Sequence, residues 1–256
     1  MKKKITQAVI LCGGKGVRLG DLTKETPKVL VPIGGPASKP VLDYIIENLA
    51  RDGITNIILC CGHLLGPMMK YWGEELPFWV CQNIKVRVSS EDRPLGTAGA
   101  VENVRELLDD DFLVVYGDVM IDFNIKKLIK THMSTRPIAT LTVWKSDYMS
   151  DPHTHLVQTD ANGKVVEFVG KRDPNRIYQN QCNAAVYAMS KQIFDYIDYT
   201  EFTDRPQDFS NDVFPLILEQ SGHLHTYSLE RGGYIKDMGT PERLAEVAEY
   251  IKNQRT

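Results

Sequence analysis

Short apolar runs alternate with amphipathic stretches along residues 1–145. Strands rich in Val, Ile or Leu are predicted at 7–12, 55–61, 85–89, 112–116 and 138–144. Helices are predicted between them at 40–52, 64–72, 97–108 and 124–133. Such runs are typical of strands covered on both faces, and their alternation with helices predicts right-handed crossovers. The expected fold is α/β, with three Rossmann-like layers and helices on both faces of a mostly parallel sheet.

The pattern changes after residue 145. Residues 146–182 are polar and rich in turn formers, and Asp160-Ala161-Asn162-Gly163 separates two apolar runs at 156–159 and 164–168. This arrangement predicts a small β-hairpin lobe. A further strand is predicted at 183–189, with helices at 190–198, 210–221 and 240–253, the last capped by Thr240. We expect residues 1–256 to form one domain with two halves, 1–145 and 146–256.

Composition excludes several classes of protein. The chain has 256 residues, of which 43% are hydrophobic and 25% charged, and a net charge of −3, so neither disorder nor global attraction to nucleic acid or membranes is expected. Its 5 cysteines form no CxxC pair, which argues against a disulfide framework and favours the reducing cytoplasm. The apolar run after the basic N-terminus is too short for a signal peptide. No run is long enough to span a membrane.

The first predicted strand leads into a glycine-rich turn, Gly13-Gly14-Lys15-Gly16. Glycines let backbone N–H groups approach a phosphate chain closely. Arg18 can form a forked contact with phosphate oxygens, and Lys28 supplies a point charge. The P-loop pattern GxxxxGK(S/T) is absent, and the dinucleotide pattern GxGxxG lacks its third glycine, because Leu19 stands there. The segment therefore predicts a polyphosphate site of another kind.

This run resembles the signature loop of the sugar-1-phosphate nucleotidyltransferases, or NDP-sugar pyrophosphorylases, which reads GGxGxRL followed by PKP. Cys12 stands where relatives usually have Ala, and Val29 stands where they usually have Pro. Residues 36–39 resemble a short insertion. The resemblance implies a nucleotide-binding first half and catalytic roles for Arg18 and Lys28. The nucleotide-binding residues that it implies in this loop are Leu11, Gly13, Gly14 and Gly16.

A second motif, at residues 94–100, reads PLGTAGA. Its small residues would let a flat base lie against the backbone, and Thr97 can cap the following helix. Relatives carry a very similar run against the nucleotide base. The resemblance therefore implies that Leu95, Gly96 and Thr97 bind the nucleotide, and that Glu91, in the Ser90-Glu91-Asp92 run where base-reading contacts usually occur, does so too.

Two aspartates are candidates for holding a metal. Asp118 follows the strand 112–116, at the edge where α/β proteins bind ligands, and Mg²⁺ takes carboxylate and phosphate oxygens. Residues 234–241 resemble the family run W-x-D-x-G-T-P, in which Asp237 occupies the position of the second metal ligand. The resemblance thus implies Mg²⁺ as cofactor, held by Asp118 and Asp237, with Asp118 also facing the sugar.

The second half is expected to hold the sugar. Lys171 stands where relatives have a Glu-Lys-Pro hairpin, and it is the candidate catalytic and sugar-phosphate ligand, although the text here reads Val-Gly-Lys-Arg. Asn183 resembles the asparagine that contacts the sugar in relatives. His153 with His155, and His223 with His225, have i, i+2 spacing, but no third ligand at a recognisable spacing supports zinc, so hydrogen-bonding histidines are favoured.

The resemblance implies condensation of an NTP with a sugar 1-phosphate, heptose or hexose, to give an NDP-sugar and pyrophosphate, as in polysaccharide biosynthesis. The nearest members are guanylyltransferases of heptose or mannose 1-phosphate and thymidylyl- or cytidylyltransferases of glucose 1-phosphate. Relatives often form dimers or tetramers, so the resemblance implies a homodimer or a homotetramer. Two alternatives remain: a cytidylyltransferase with a non-sugar phosphate acceptor, and a non-catalytic nucleotide-sensing relative. The absent third glycine disfavours a nicotinamide oxidoreductase.

Overall fold

The computed structural model describes residues 4–35, 38–71, 84–145, 154–198 and 205–254. Its strands are β1 (Gln7–Leu11), β2 (Asn56–Cys61), β3 (Lys85–Ser90), β4 (Asp111–Tyr116), β5 (Val119–Asp122), β6 (Ala139–Trp144), β7 (Leu156–Thr159), β8 (Val165–Val169), β9 (Cys182–Ser190), β10 (Leu224–Ser228) and β11 (Tyr234–Asp237). The described α-helices are α1 (Val41–Arg51), α2 (Leu65–Lys70), α3 (Gly96–Glu102), α4 (Ile125–Thr135), α5 (Phe214–Glu219) and α6 (Pro241–Gln254).

One 9-stranded sheet organises the molecule, in the order β10-β6-β9-β4-β1-β2-β3, with the β7–β8 hairpin attached to β9. β10–β6, β4–β1, β1–β2 and β2–β3 are parallel, whereas β9 runs antiparallel to both of its neighbours. The predicted α/β class, the mostly parallel sheet and the small hairpin lobe are therefore confirmed.

Alternate side chains of the central strands enter two separate cores, because successive residues of a strand face opposite sides of a sheet. Ile10 and Val115 pack into one core, together with α1, whose apolar face of Leu42, Ile45, Ile46 and Leu49 is fully buried. Val9 and Val114 pack into the other core, with α3 and α5. Helices thus cover both faces, as the apolar runs predict.

Three predicted helices are shorter or differently wound. The helix expected at 97–108 ends at Glu102, and Asn103 turns its side-chain amide to the hydroxyl of Ser89 at 3.2 Å. The segment 190–198 forms only a 3₁₀ helix, Lys191–Tyr196. The helix expected at 210–221 divides into a π-helical turn, Phe209–Val213, and α5, because Pro215 has no N–H for the regular hydrogen-bond ladder.

Two strand pairings are absent from the sequence-based expectation. β10 extends the sheet beside β6, and β5 pairs with β11 as a separate antiparallel ribbon. The ribbon strands have only four residues each, too few for a periodic signal, and their partners are far apart in sequence. This ribbon matters because β5 begins directly after Asp118 and β11 ends at Asp237, the two candidate metal ligands.

Several smaller predictions are also tested. Thr240 caps α6, since its hydroxyl accepts the N–H of Arg243 at 3.4 Å. Cys12, Cys60, Cys61 and Cys182 are buried, and Cys81 lies outside the described residues. None of the helices in the described ranges has the length and apolar character that crossing a membrane would require.

Candidate active site

A cleft of about 780 Å³ opens where β1, β2 and β4 end and α3 begins. It is lined by most of the residues for which a nucleotide or catalytic role is predicted, namely Leu11, Gly13, Gly14, Lys28, Glu91, Gly96, Thr97 and Asp118. Leu95 and Gly16 adjoin the cleft but are outside its lining. Segments more than a hundred residues apart in the chain therefore meet at one edge of the sheet, where α/β folds bind ligands.

The glycine-rich loop is held in shape by its own chain. The hydroxyl of Thr23 donates to the carbonyl of Gly16 at 2.9 Å, and the N–H of Leu19 bonds the same carbonyl at 2.9 Å. Gly13 and Gly14 face the cleft beside Lys15, a cation that the sequence-based assignment leaves out. The loop thus presents backbone and positive charge to the cleft, which is suited to phosphate groups.

Lys28 and Asp118 form an ion pair at the floor of this cleft. Lys28 lies on the 3₁₀ turn Lys28–Leu30 and is buried, and its ammonium donates to Oδ2 of Asp118. Asp118 stands between β4 and β5, where the N–H of Gly117 bonds the carbonyl of Leu11 at 2.9 Å and ties the end of β4 to β1. The two residues predicted to be catalytic and metal-binding are therefore in direct contact.

The β5–β11 ribbon brings Asp237 beside Asp118. Asp237 pairs in register with Val119, and the N–H of Met238 donates to the carbonyl of Asp118 at 2.9 Å. The carboxylate of Asp237 accepts the N–H of Gly239 at 2.9 Å and a fork from Nη1 of Arg243 at 2.8 and 2.6 Å. Arg243 is a partner that sequence reasoning missed, although its place in the first turn of the last predicted helix, six residues beyond Asp237, was visible.

Arg18 reaches the same turn from the glycine-rich loop. A methyl group built on Gly239 would lie 2.6 Å from Nη2 of Arg18 and 2.7 Å from Oδ1 of Asp237. Gly239 therefore leaves the space in which the exposed Arg18 side chain approaches Asp237. The structure places Arg18 beside the metal-ligand candidates, outside the residues that line the main cleft.

The donors present are suited to magnesium. Asp118 and Asp237 offer only hard carboxylate oxygens, the ligands that Mg²⁺ takes together with phosphate oxygens and water. Within the described ranges, no group of three or more His, Cys, Asp or Glu side chains could hold a metal ion, so phosphate and water would complete the coordination. Lys28 and Arg243 now neutralise these carboxylates, and a bound cation would compete with them.

The opposite end of the cleft is built around the start of α3. Burial raises the pKa of the Glu91 carboxyl, and one of its oxygens accepts the N–H of Leu95 at 3.2 Å. Gly96 has φ of +77°, and a Cβ there would lie 2.3 Å from the carbonyl oxygen of Gln207, so no other residue fits. The expectation that Thr97 caps the helix is wrong: α3 begins one residue earlier, and the Thr97 hydroxyl bonds Asp208 at 3.0 Å instead.

The sugar candidates are placed differently from one another. Asn183 donates to the hydroxyls of Tyr187 at 2.8 Å and Ser210 at 3.3 Å, and it lines a small cavity of about 80 Å³ together with Asp237 and Arg243. Lys171 is exposed at the end of the hairpin and lines neither this cavity nor the main cleft. The structure thus brings Asn183 into one cavity with Asp237 and leaves Lys171 outside both cavities.

Three of the four candidate histidines lie within the described residues. His155 contacts the amide oxygen of Asn211 at 3.0 Å, and its burial lowers the pKa of the imidazole. The rings of His223 and His225 are 6.0 Å apart, and burial lowers the pKa of both. His153 lies outside the described residues.

Asp208 and Tyr116 also line the main cleft, and sequence reasoning assigned neither to the site. Tyr116 directly precedes Gly117-Asp118, which is the signal that could have found it. Asp208 directly precedes the π-helical turn Phe209–Val213 and belongs to none of the motifs described above. Asp208 and Thr97 are 111 residues apart in the chain, so no local sequence pattern predicts their contact.

Comparison with known proteins identifies relatives of this chain. The family model described as "Nucleotidyl transferase" matches residues 7–254. Mannose-1-phosphate guanyltransferase beta-A of Xenopus laevis is 30% identical over 253 residues, covering 97% of this chain and 66% of that protein. Mannose-1-phosphate guanyltransferase of Aspergillus oryzae is 31% identical over 242 residues, covering 92% and 61%. The chain thus spans slightly less than two thirds of the length of these relatives.

Solved structures agree in fold. HddC from Yersinia pseudotuberculosis, complexed with GMP-PN, superposes with a TM-score of 0.76 at 25% identity, covering 96% of this chain and 100% of that chain. UDP-glucose pyrophosphorylase from Acinetobacter baumannii superposes with a TM-score of 0.80, covering 98% and 94%. Its identity of 17% shows a common fold alone.

Proposed function

Because the chain belongs to the nucleotidyl transferase family, we propose that it transfers a nucleotidyl group from an NTP to a sugar 1-phosphate. The products are an NDP-sugar and pyrophosphate. The observation that carries this proposal is the convergence of the glycine-rich loop, Lys28 and Asp118 in one cleft, with Asp237 and Arg18 beside them. Such a site combines donors for a phosphate chain with carboxylates for a cation.

In the proposed reaction, a phosphate oxygen of the sugar 1-phosphate attacks the α-phosphorus of the NTP. A new P–O bond forms, the bond between the α-phosphorus and its bridging oxygen breaks, and pyrophosphate leaves with the electron pair. No covalent enzyme intermediate is required, so the protein acts by positioning and by stabilising charge. Lys28 and Arg18 are suited to neutralise the phosphates. Lys171 stays the predicted ligand of the acceptor phosphate, at the exposed end of its hairpin.

Asp118 and Asp237 would hold Mg²⁺. When bound, Mg²⁺ supplies positive charge that polarises phosphate oxygens. The ribbon that pairs β5 with β11 fixes the backbones of both aspartates, so their spacing depends little on other parts of the site. Arg243 orients the Asp237 carboxylate through its forked contact.

We further propose GTP as the nucleotide and a hexose or heptose 1-phosphate as the acceptor. The relatives described above are named as mannose-1-phosphate guanyltransferases, and the HddC structure holds a guanine nucleotide analogue. The product would serve polysaccharide biosynthesis. The free, buried thiols of Cys12, Cys60 and Cys61 support a reducing compartment such as the cytoplasm, and a homodimer or homotetramer is part of the same proposal.

The test is pyrophosphate release with Mg²⁺, measured for each of five NTPs (GTP, ATP, UTP, CTP and dTTP) against mannose, glucose and heptose 1-phosphates. Release with GTP and one sugar phosphate is expected. Silence with every sugar, together with thermal stabilisation by one NTP, would favour a non-sugar acceptor or a nucleotide-sensing role. CTP with a panel of phospho-alcohols then separates those two alternatives.

A further inference from the structure

Two carboxylates flank the start of α3 inside the main cleft. Glu91 comes from the end of β3, and its Oε2 accepts the N–H of Leu95 at 3.2 Å. Asp208 comes from the opposite half of the chain, and its Oδ1 accepts the N–H of Thr97 at 3.1 Å. The two acidic groups are thus anchored on backbone amides two residues apart, and both side chains line the cleft.

The position of Asp208 is fixed from several sides. Its Oδ1 accepts both the N–H and the hydroxyl of Thr97, and its own N–H donates to Oδ2 of Asp212 at 2.7 Å. The preceding carbonyl, that of Gln207, accepts the N–H of Ala98 at 2.9 Å. Within the described part of the chain, Oδ2 of Asp208 receives no hydrogen bond. Asp208 therefore lines the cleft with a fixed carboxylate that keeps spare acceptor capacity.

An ionised carboxylate accepts hydrogen bonds and donates none. Two such groups on one side of a cleft suit a base edge that carries adjacent donors. Guanine has this edge, with N1–H next to the 2-amino group. Uracil and thymine have a single N–H between two carbonyls, and adenine and cytosine place a ring acceptor beside their amino group. These patterns favour guanine over the other bases at this position.

We propose that Asp208 is a specificity-determining residue that selects guanine by accepting a hydrogen bond from its 2-amino group, while Glu91 accepts one from N1–H. This inference rests on the proposed nucleotidyl transfer and deepens it. Asp208 also positions the motif at residues 94–100 through its contact with Thr97. A replacement that changes the shape of the side chain would therefore disturb both the Thr97 contact and the contact with the base. Asparagine keeps the shape and the Oδ1 acceptor for Thr97, but places an N–H₂ group where Oδ2 stands.

The experiment is isothermal titration calorimetry of the full chain with GTP and with ITP, which keeps N1–H but lacks the 2-amino group. We expect the wild type to bind GTP at least about tenfold more tightly than ITP, the usual value of a hydrogen bond to a charged group. Asp208→Asn should reduce this ratio about tenfold. Glu219→Gln, which removes an exposed carboxylate at the end of α5, outside the cleft lining, should keep the wild-type ratio.

An unchanged GTP:ITP ratio in folded Asp208→Asn would overturn the role of Asp208. If circular dichroism shows that this variant is unfolded, Asp208→Glu replaces it, since it keeps the charge and moves the carboxylate, and it should also lower the ratio. Tighter binding of another NTP than of GTP would refute the guanine assignment, whereas pyrophosphate release with that NTP would leave nucleotidyl transfer standing. Absence of binding by every NTP would refute the proposed function itself.

Discussion

The ammonium of Lys28 donates a hydrogen bond to Oδ2 of Asp118, which lies 90 residues further along the chain. One residue follows the glycine-rich loop, and the other follows the strand β4, so neither position implies the other. Their contact joins the candidate phosphate-binding charge to a candidate metal ligand. A cation that binds Asp118 would share this carboxylate with Lys28 or displace it.

Replacement of Lys28 should affect catalysis far more than folding. We expect Lys28→Met to lower kcat about 100-fold or more, the usual cost of removing one charge-stabilising donor from a reaction centre. The variant should stay folded, because 33% of the Asp118 side chain remains exposed to water. Pyrophosphate release and a thermal melt are the measurements.

Lys24→Met is the matched control for this experiment. Lys24 belongs to the same segment, but its side chain is 74% exposed and its partner Asp21 is exposed as well. Activity close to that of the wild type is expected for it. Equal losses in the two variants would show that Lys28 has no special part in the reaction.

The two ends of the β5–β11 ribbon should separate metal binding from stability. Asp237→Asn is expected to raise the Mg²⁺ concentration for half-maximal activity about tenfold or more, because it removes half of the carboxylate set. Asp122, at the other end, instead accepts hydrogen bonds from Arg51 at 3.2 Å and Tyr250 at 3.0 Å. Asp122→Asn should therefore lower stability by about 1 kcal/mol without changing the Mg²⁺ requirement.

Magnesium titration of activity and urea unfolding of both variants test this contrast. A Mg²⁺ requirement that moves equally in both variants would indicate a general distortion of the ribbon and would remove Asp237 from the candidate ligands.

Gly96→Ala should destabilise the protein by about 2 kcal/mol or more. The new Cβ would meet the carbonyl oxygen of Gln207 at 2.3 Å, and alanine disfavours the positive φ of this residue. Gly66→Ala in α2 is the control, since nothing lies within 4 Å of its Cβ position. The control should match or exceed wild-type stability by up to about 1 kcal/mol. Urea unfolding measures both, and a Gly96→Ala variant as stable as the control would refute the close contact.

The stability of the protein should depend on the titration of Asp43. This residue is 1% exposed on α1, and burial raises the pKa of its carboxyl, although the Tyr71 hydroxyl, which lies 2.8 Å from each carboxylate oxygen and donates to them, opposes the shift. A raised pKa in the folded state means that the favourable contribution is present below the ordinary pKa. It is lost as the pH rises through the higher, folded-state value.

Asp43→Asn cannot ionise, so it should unfold at a higher urea concentration than the wild type at pH 7. The difference should shrink as the pH falls toward 4. Urea unfolding at several pH values is the measurement, and the opposite trend would mean that the Tyr71 contacts outweigh the cost of burial.

Much of the fold follows from local pattern. The apolar run 112–116 predicts a strand. The spacing of Leu42, Ile45 and Leu49 predicts a helix with one buried face, because a period of 3.6 residues places these side chains on the same side. The hairpin around Asp160–Gly163 was equally visible, since turn chemistry is local. The π-helical winding of Phe209–Val213 was not visible, because it depends on which backbone hydrogen bonds form in the turn before Pro215.

The candidate site was predictable in part for a similar reason. Gly13, Gly14, Gly96 and Asp118 belong to short motifs whose residue types carry their own chemistry, and the structure gathers them in one cleft. Arg243 and Asp208 carry no such signal. Their importance comes from the carboxylate or backbone that they contact, and those contacts exist only after the chain has packed.

The sequence by itself therefore determined the α/β class, most strands of the central sheet, and the candidate residues for phosphate and metal binding, since each depends on neighbours within a few positions. Only the tertiary structure decided that Asp237 lies beside Asp118, that Asp208 holds Thr97, and that Lys171 stays apart from both cavities. Ribbon pairing and side-chain contacts across a hundred residues depend on the packing of whole layers, and that packing is a property of the folded chain.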